Sequence, residues 1–231
     1  MRNADDQVSR LERIEFFYGL PRDQVPEIAR QVRWHEFQAG EVIFSPDQEA
    51  VSFYVIEEGK VRLSRASEQG KELTLAIIGA GGTFGELNPG ETRRQRAYAE
   101  ALITTTLCEL PRTIFTQLVA TVPELGLRAV ESLAERLAWA EAQIEDLVFR
   151  SVPERVASLL LRLSEAHGRV GPTGVLVDLR LTHQEVGNMV GATRETITNV
   201  LNAMRAEGLI EVEHKRIRLL SPERLAQRAR H

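Results

Sequence analysis

The 231-residue chain is 43% hydrophobic and 27% charged, ordinary values for a folded globular protein, which argue against wholesale disorder, a collagen-like repeat and a disulfide scaffold. Its single cysteine, Cys108, leaves no partner for an intrachain disulfide. The formal net charge of −4 divides unevenly, −7 over residues 1–150 and +3 over 151–231, which suggests an acidic module joined to one that can approach phosphate.

Residues 1–13 are polar and charged, and no uncharged stretch reaches the roughly 18 residues of a membrane span, so a soluble, cytoplasmic protein without a membrane partner is expected. A helical lead-in follows, with Leu11, Ile14, Phe17, Val25, Ile28 and Val32 at helical spacing. The period then drops to two. Residues 42–44, 52–56, 61–64, 73–78, 98–103 and 106–110 read as short strands, with Gly40, Gly59, Gly70 and the glycines of 79–82 supplying turns. That succession predicts a closed antiparallel β-roll of the jelly-roll type.

From 123 to 149 the pattern is helical, and Val130, Leu133, Leu137, Ala140, Ile144 and Leu147 recur at spacings of three and four. A helix of about 20 to 25 residues carrying a heptad seam is expected, either covering its own β-domain or pairing with a second copy. Beyond Pro153 the chain predicts a helix over 154–166, a Gly/Pro-rich break over 168–174 and a strand over 175–179.

The strongest local signal comes next. Thr182 and Glu185 have capping-box spacing, and Gly191 stands where a helix must stop and reverse. A second helix starts at Thr193. Its Ile197, Val200, Leu201 and Met204 share an inward face, while Arg194, Glu195, Thr198, Asn199 and Asn202 point outward, a set rich in base-reading side chains. Gly187 permits close crossing of the two helices. The arrangement predicts a helix-turn-helix, followed by a hairpin over 209–212 and 217–219 whose tip, His214, Lys215 and Arg216, can contact phosphate as a wing.

Across most of its length the chain resembles the cyclic-AMP receptor protein and fumarate/nitrate regulator (CRP/FNR) superfamily of bacterial transcription regulators. The resemblance rests on 181–187, on 190–196, and on Phe84, Gly85, Glu86 and Leu87 followed by Arg96 and Ala97. It implies an α+β architecture: an effector-sensing β-roll over 1–122, a central dimerisation helix over 123–150 and a winged helix-turn-helix DNA-binding domain over 151–231. The heptad seam then reads as a homodimer interface. Glu86 would take the ribose of cyclic AMP and Arg96 its phosphate, beside Gly85, Leu87 and Ala97, with Arg136, Ala140 and Glu141 at the family's central-helix positions.

Ala97 departs from the serine or threonine usual in bacterial cyclic-AMP receptors but matches the alanine common in eukaryotic cyclic-AMP domains, which argues against cyclic GMP more than against cyclic AMP; Ala140 lacks the family's hydroxyl, and another effector, or an effector-independent regulator, stays open. For DNA, Thr182, Thr193, Arg194, Glu195, Thr196, Thr198 and Asn199 would lie at the interface with the wing residues, on a palindromic duplex site. RNA polymerase is a partner by resemblance. One cysteine cannot hold an iron-sulfur cluster, and His35 and Cys108 read as a surface residue and a buried hydrophobe rather than haem ligands. A cupin-type metalloenzyme needs a histidine cluster, yet His35 is the only histidine before residue 150, so neither metal nor catalytic residue is expected. A signalling module whose C-terminal part docks protein is the different-class alternative.

Overall fold

The computed structural model describes residues 4–85 and 94–229. Two compact units make up the chain: residues 1–65 with 75–137, and residues 66–74 with 138–231.

In the first unit, α1 (Ala4–Arg13), a 3-10 turn and α2 (Val25–Gln31) precede the strands β1 (Arg33–Phe37), β2 (Val42–Phe44), β3 (Ser52–Glu58), β4 (Lys60–Ala66), β5 (Glu72–Gly79), β6 (Thr83–Phe84), β7 (Tyr98–Ala101) and β8 (Thr105–Pro111). They form two antiparallel sheets, ordered β1-β8-β3-β6 and β2-β7-β4-β5. Both sheets contribute to one apolar core through Phe44, Ile56, Leu63, Ile78, Phe84, Ala99 and Leu107, so they close on each other as a roll. The opposite face of β3 and β8 is also dry. There Phe53, Val55, Cys108 and Leu110 pack beneath Leu11, Phe16, Phe17, Ile28 and Phe115, the last from α3 (Arg112–Thr121). Burial on both faces explains why the neighbouring Leu107 and Cys108 are both apolar.

Several elements differ from the sequence expectation. Residues 33–37, assigned to no element by their own pattern, form a strand by pairing with β8, which sets Trp34 opposite Cys108. β7 ends at Ala101, two residues early, and α3 and β6 had no local signal of their own.

The long helix α4 spans Pro123–Phe149, 27 residues. It is followed by α5 (Val152–His167), β9 (Gly168–Gly171), β10 (Gly174–Val177), α6 (His183–Val190), α7 (Arg194–Ala206), β11 (Ile210–Glu213), β12 (Arg216–Leu219) and α8 (Pro222–Arg228). The glycine-rich stretch expected as a break contains β9, which pairs with β10 in a sheet ordered β11-β12-β10-β9. In the second unit the end of α4 is tied to α5 by the buried Asp146. Its carboxylate accepts from Arg150 and, at 2.8 Å, from Arg162, while the Ser158 hydroxyl accepts from the same guanidinium groups at 2.8 and 2.7 Å.

Candidate functional site

The helix-turn-helix is assembled by local chemistry. Thr182 caps α6: its hydroxyl accepts from the Glu185 amide at 3.2 Å, and the Glu185 carboxylate accepts from the Thr182 amide at 2.6 Å. Gly191 ends α6 at φ 66°, ψ 45°, the left-handed geometry that favours glycine. Thr193 then caps α7, accepting from the Thr196 amide. A β-carbon on Gly187 would lie 2.6 Å from the Ala192 carbonyl oxygen, so only glycine allows this tight crossing. Ile197, Leu201 and Met204 are buried, whereas Arg194, Glu195, Asn199 and Asn202 are exposed on the far face of α7.

Thr198 is placed differently from these. Its hydroxyl donates to the Arg194 carbonyl and meets His183 Nδ1 at 2.7 Å, so it pins α7 to α6. The Thr182 and Thr196 hydroxyls are likewise engaged within the caps. Nothing in the sequence singles out His183, because residues on facing helices cannot be paired from spacing alone. Arg155 of α5, equally unmarked in the sequence, donates to the Val190 carbonyl at 2.8 Å and closes the C-terminal end of α6.

The wing is a tight hairpin in which Glu213 pairs with Arg216 across two residues, His214 at φ 49° and Lys215 at φ 65°. Two left-handed residues define the tight turn that suits strand twist, and both side chains are exposed. The Lys215 carbonyl accepts from the Leu181 amide at 2.7 Å, which fixes the wing tip beside the start of α6. Arg216 faces Asp178 at 3.5 Å.

In the β-roll, Gly85 adopts φ 115°, and a β-carbon there would lie 2.8 Å from the Ser52 carbonyl. Glu86 and Leu87 lie outside the described residues. Arg96 is exposed and its carbonyl accepts from Arg65 Nε at 3.1 Å; Ala97 is half-buried. On α4, Arg136 is half-buried while Ala140 and Glu141 are exposed. No local pattern marks the polar row across β1, β8 and β3, where Glu109 accepts from Ser52 at 2.5 Å and meets His35 Nε2 at 2.6 Å. Burial, reinforced by Glu109, raises the Tyr54 phenol above its ordinary value. Burial also pushes the Cys108 thiol up strongly.

The seam residues Val130, Leu133, Leu137, Ala140, Ile144 and Leu147 are all exposed in the single chain, and Leu127 and Val148 extend the apolar stripe. Among the described residues, no helix is long and apolar enough to cross a membrane.

Comparison with known proteins fits this layout. A family model described as cyclic nucleotide-binding domain matches residues 34–122, and one described as Crp-like helix-turn-helix domain matches 154–228. The global nitrogen regulator of Synechococcus elongatus is 32% identical, over 83% of this chain and 87% of its own. A CRP-like cAMP-activated global transcriptional regulator of Mycobacterium tuberculosis is 30% identical, over 95% of this chain and 98% of its own. The crystal structure of a CRP/FNR-family transcriptional regulator from Thermus thermophilus superposes with a TM-score of 0.71 at 32% identity, covering 86% of this chain and 99% of that one. With a cyclic nucleotide-binding roll, a long helix and a Crp-like helix-turn-helix in one chain, the protein belongs to the CRP/FNR superfamily of DNA-binding transcription regulators.

Proposed function

We propose that the chain acts as a homodimeric, sequence-specific regulator and not as an enzyme, with the β-roll as sensor, α4 as dimer helix and the winged helix-turn-helix as reader of a palindromic duplex. The observation that carries this is the exposed face of α7: Arg194, Glu195 and Asn199 stand together on a helix whose other side is packed into the core. Arginine suits guanine, glutamate the cytosine amino group and asparagine adenine. Thr182, Thr193 and Thr196 at the helix starts, with His214, Lys215 and Arg216, suit the phosphate backbone, while Thr198 acts through His183. The exposed seam on α4 supports dimerisation, and a dimer places two half-sites about one helical turn apart. RNA polymerase is the partner such a regulator would engage, and the cytoplasm is where it would work.

Selection from a random duplex pool tests the reading face. Asn199→Arg should change preference at one base pair by about 1 to 3 kcal/mol, whereas Lys215→Ala should weaken all sequences alike and lower the salt slope. An unchanged motif with Asn199→Arg would remove that side chain from the reading face. Salt-insensitive or absent duplex binding would favour a module that docks protein.

For the effector, cyclic AMP is supported by the cyclic nucleotide-binding match and the cAMP-activated relative. The corresponding site would comprise Gly85, Glu86, Leu87, Arg96 and Ala97 with Arg136, Ala140 and Glu141. A second reading, a regulator whose roll does not take a cyclic nucleotide, is favoured by the exposure of Arg96. Calorimetry with cyclic AMP separates them.

A further inference from the structure

Helix α4 meets α5 through a joint of two residues, Arg150 and Ser151. Two residues carry four soft backbone torsions, enough to swing one helix against the other unless something holds them. Both are held. The Arg150 amide donates to the Asp146 carbonyl at 3.1 Å, which prolongs α4 across the joint. Its guanidinium donates back to the Asp146 carboxylate and, at 2.8 Å, forward to the Ser158 hydroxyl of α5. Ser151 is the N-cap of α5, and its amide donates to the Glu154 carboxylate at 2.7 Å.

Arg162, further along α5, closes the joint from the far side. It donates to the same Asp146 carboxylate at 2.8 Å and to Ser158 at 2.7 Å, and its guanidinium lies 5.2 Å from the centre of the Trp139 ring on α4. Trp139 and Asp146 stand seven residues apart and share one face of α4. Ala140, Ile144 and Leu147 of the seam lie on another face and stay exposed, so the cluster leaves the seam open to a second copy. Two further contacts carry the constraint to the helix-turn-helix. Arg155 of α5 donates to the Val190 carbonyl at 2.8 Å, and a β-carbon on Gly191 would lie 3.2 Å from Leu147 Cδ2, so the turn before α7 rests against the last leucine of the seam. The end of α4 accordingly belongs to the second compact unit.

We propose that Asp146, Arg150 and Arg162 are positioning residues that fix the DNA reader to the dimer helix, and that they thereby set which half-site spacing the dimer accepts. Bending the joint draws Arg162 away from Asp146 and leaves a carboxylate that is 4% exposed short of a partner, a costly state for a buried charge. The cluster therefore resists the motion that a two-residue joint would otherwise permit. One base pair inserted between half-sites displaces one from the other by about 3.4 Å and turns it by roughly 35°. A reader on a free joint follows that change. A reader fixed to α4 cannot follow, and must give up base contacts or deform the duplex. The inference rests on reading the chain as a dimer with α7 as its reading helix.

The experiment measures the affinity of the full chain for three duplexes by fluorescence anisotropy: the palindrome that wild type selects from a random pool, and the same palindrome with one base pair added or removed at its centre. Wild type should lose at least about tenfold on either altered duplex, the equivalent of one good base contact. Asp146→Asn and Arg162→Met should each reduce that discrimination to about threefold or less while sedimenting as dimers. Wild type that binds all three duplexes within about threefold would overturn the proposal without any variant. Variants that lose affinity equally on all three and keep the wild-type discrimination would overturn it too, since the cluster would then serve stability alone. If Asp146→Asn melts below the assay temperature, Arg162→Met decides, because it keeps Arg150 on the carboxylate. Failure of the underlying reading looks different: no palindrome is selected, or wild type sediments as a monomer, and the inference falls with it.

Discussion

Leu137→Lys tests the assignment of α4 as the dimer helix. Leu137 is 60% exposed in the single chain, at the middle of a stripe running from Leu127 to Val148. Fully burying a leucine is worth about 1.5 to 3 kcal/mol, so covering that fraction on two copies contributes roughly 2 to 4 kcal/mol. Lysine removes that layer and adds two like charges facing each other across the axis. Even if both ammonium groups escape to solvent, the lost layer alone weakens association about 30- to 1,000-fold. Repulsion and desolvation add to this. Sedimentation velocity over a concentration series should show wild type as a dimer and the variant as a monomer at micromolar concentration. Glu135→Lys, at an exposed position off the seam, controls for charge alone. A variant that stays dimeric at the wild-type concentration dependence would take the central helix out of the interface.

Asp146→Ala should lower stability by about 2 to 4 kcal/mol in thermal melts, since it leaves Arg150 and Arg162 without their shared buried carboxylate; partial exposure of both arginines keeps the effect below that of a fully buried pair. Gly187→Ala should cost about 1 to 3 kcal/mol and reduce duplex affinity, because the new methyl meets the Ala192 carbonyl oxygen and moves α6 off α7; a neutral result in both melts and duplex titration would show that the crossing can relax. Burial raises the Cys108 thiol, so the unfolded chain ionises first: the stability Cys108 lends is present below about pH 8.5 and declines above it by up to ~1.4 kcal/mol per pH unit. Denaturant titrations of wild type and Cys108→Ala between pH 7.5 and 10 should therefore converge as pH rises, and parallel curves would place the thiol in a wetter site.

The helix-turn-helix could be read from sequence because its determinants are short-range. Thr182 and Glu185 are one turn apart, Gly191 meets a backbone requirement at a single residue, and the buried face of α7 repeats every three or four positions. β1 had no such signature. Arg33–Phe37 becomes a strand through its partnership with β8, far along the chain, and nothing within those residues demands it. β9 was hidden for the opposite reason: Gly168 and Gly171 mark turns locally, yet pairing of Val170 with Val175 holds them in a ladder.

Sites depend on the same distinction between what a side chain is and which way it leaves the backbone. Thr198 lies on the face of α7 that periodicity assigns to DNA, but a hydroxyl reaches backwards along a helix, and the Arg194 carbonyl and His183 ring claim it. Arg96 presents the same problem, since it is exposed beside the buried Gln95. A motif of glycine, glutamate and a later arginine specifies residue types at approximate distances, whereas a strand exchanges inward for outward at every residue. For the segment 94–101 that choice is made by Gln48 and Asp47 on one side and by β4 on the other, none of them a sequence neighbour of Arg96 and all of them brought to it by the folded chain.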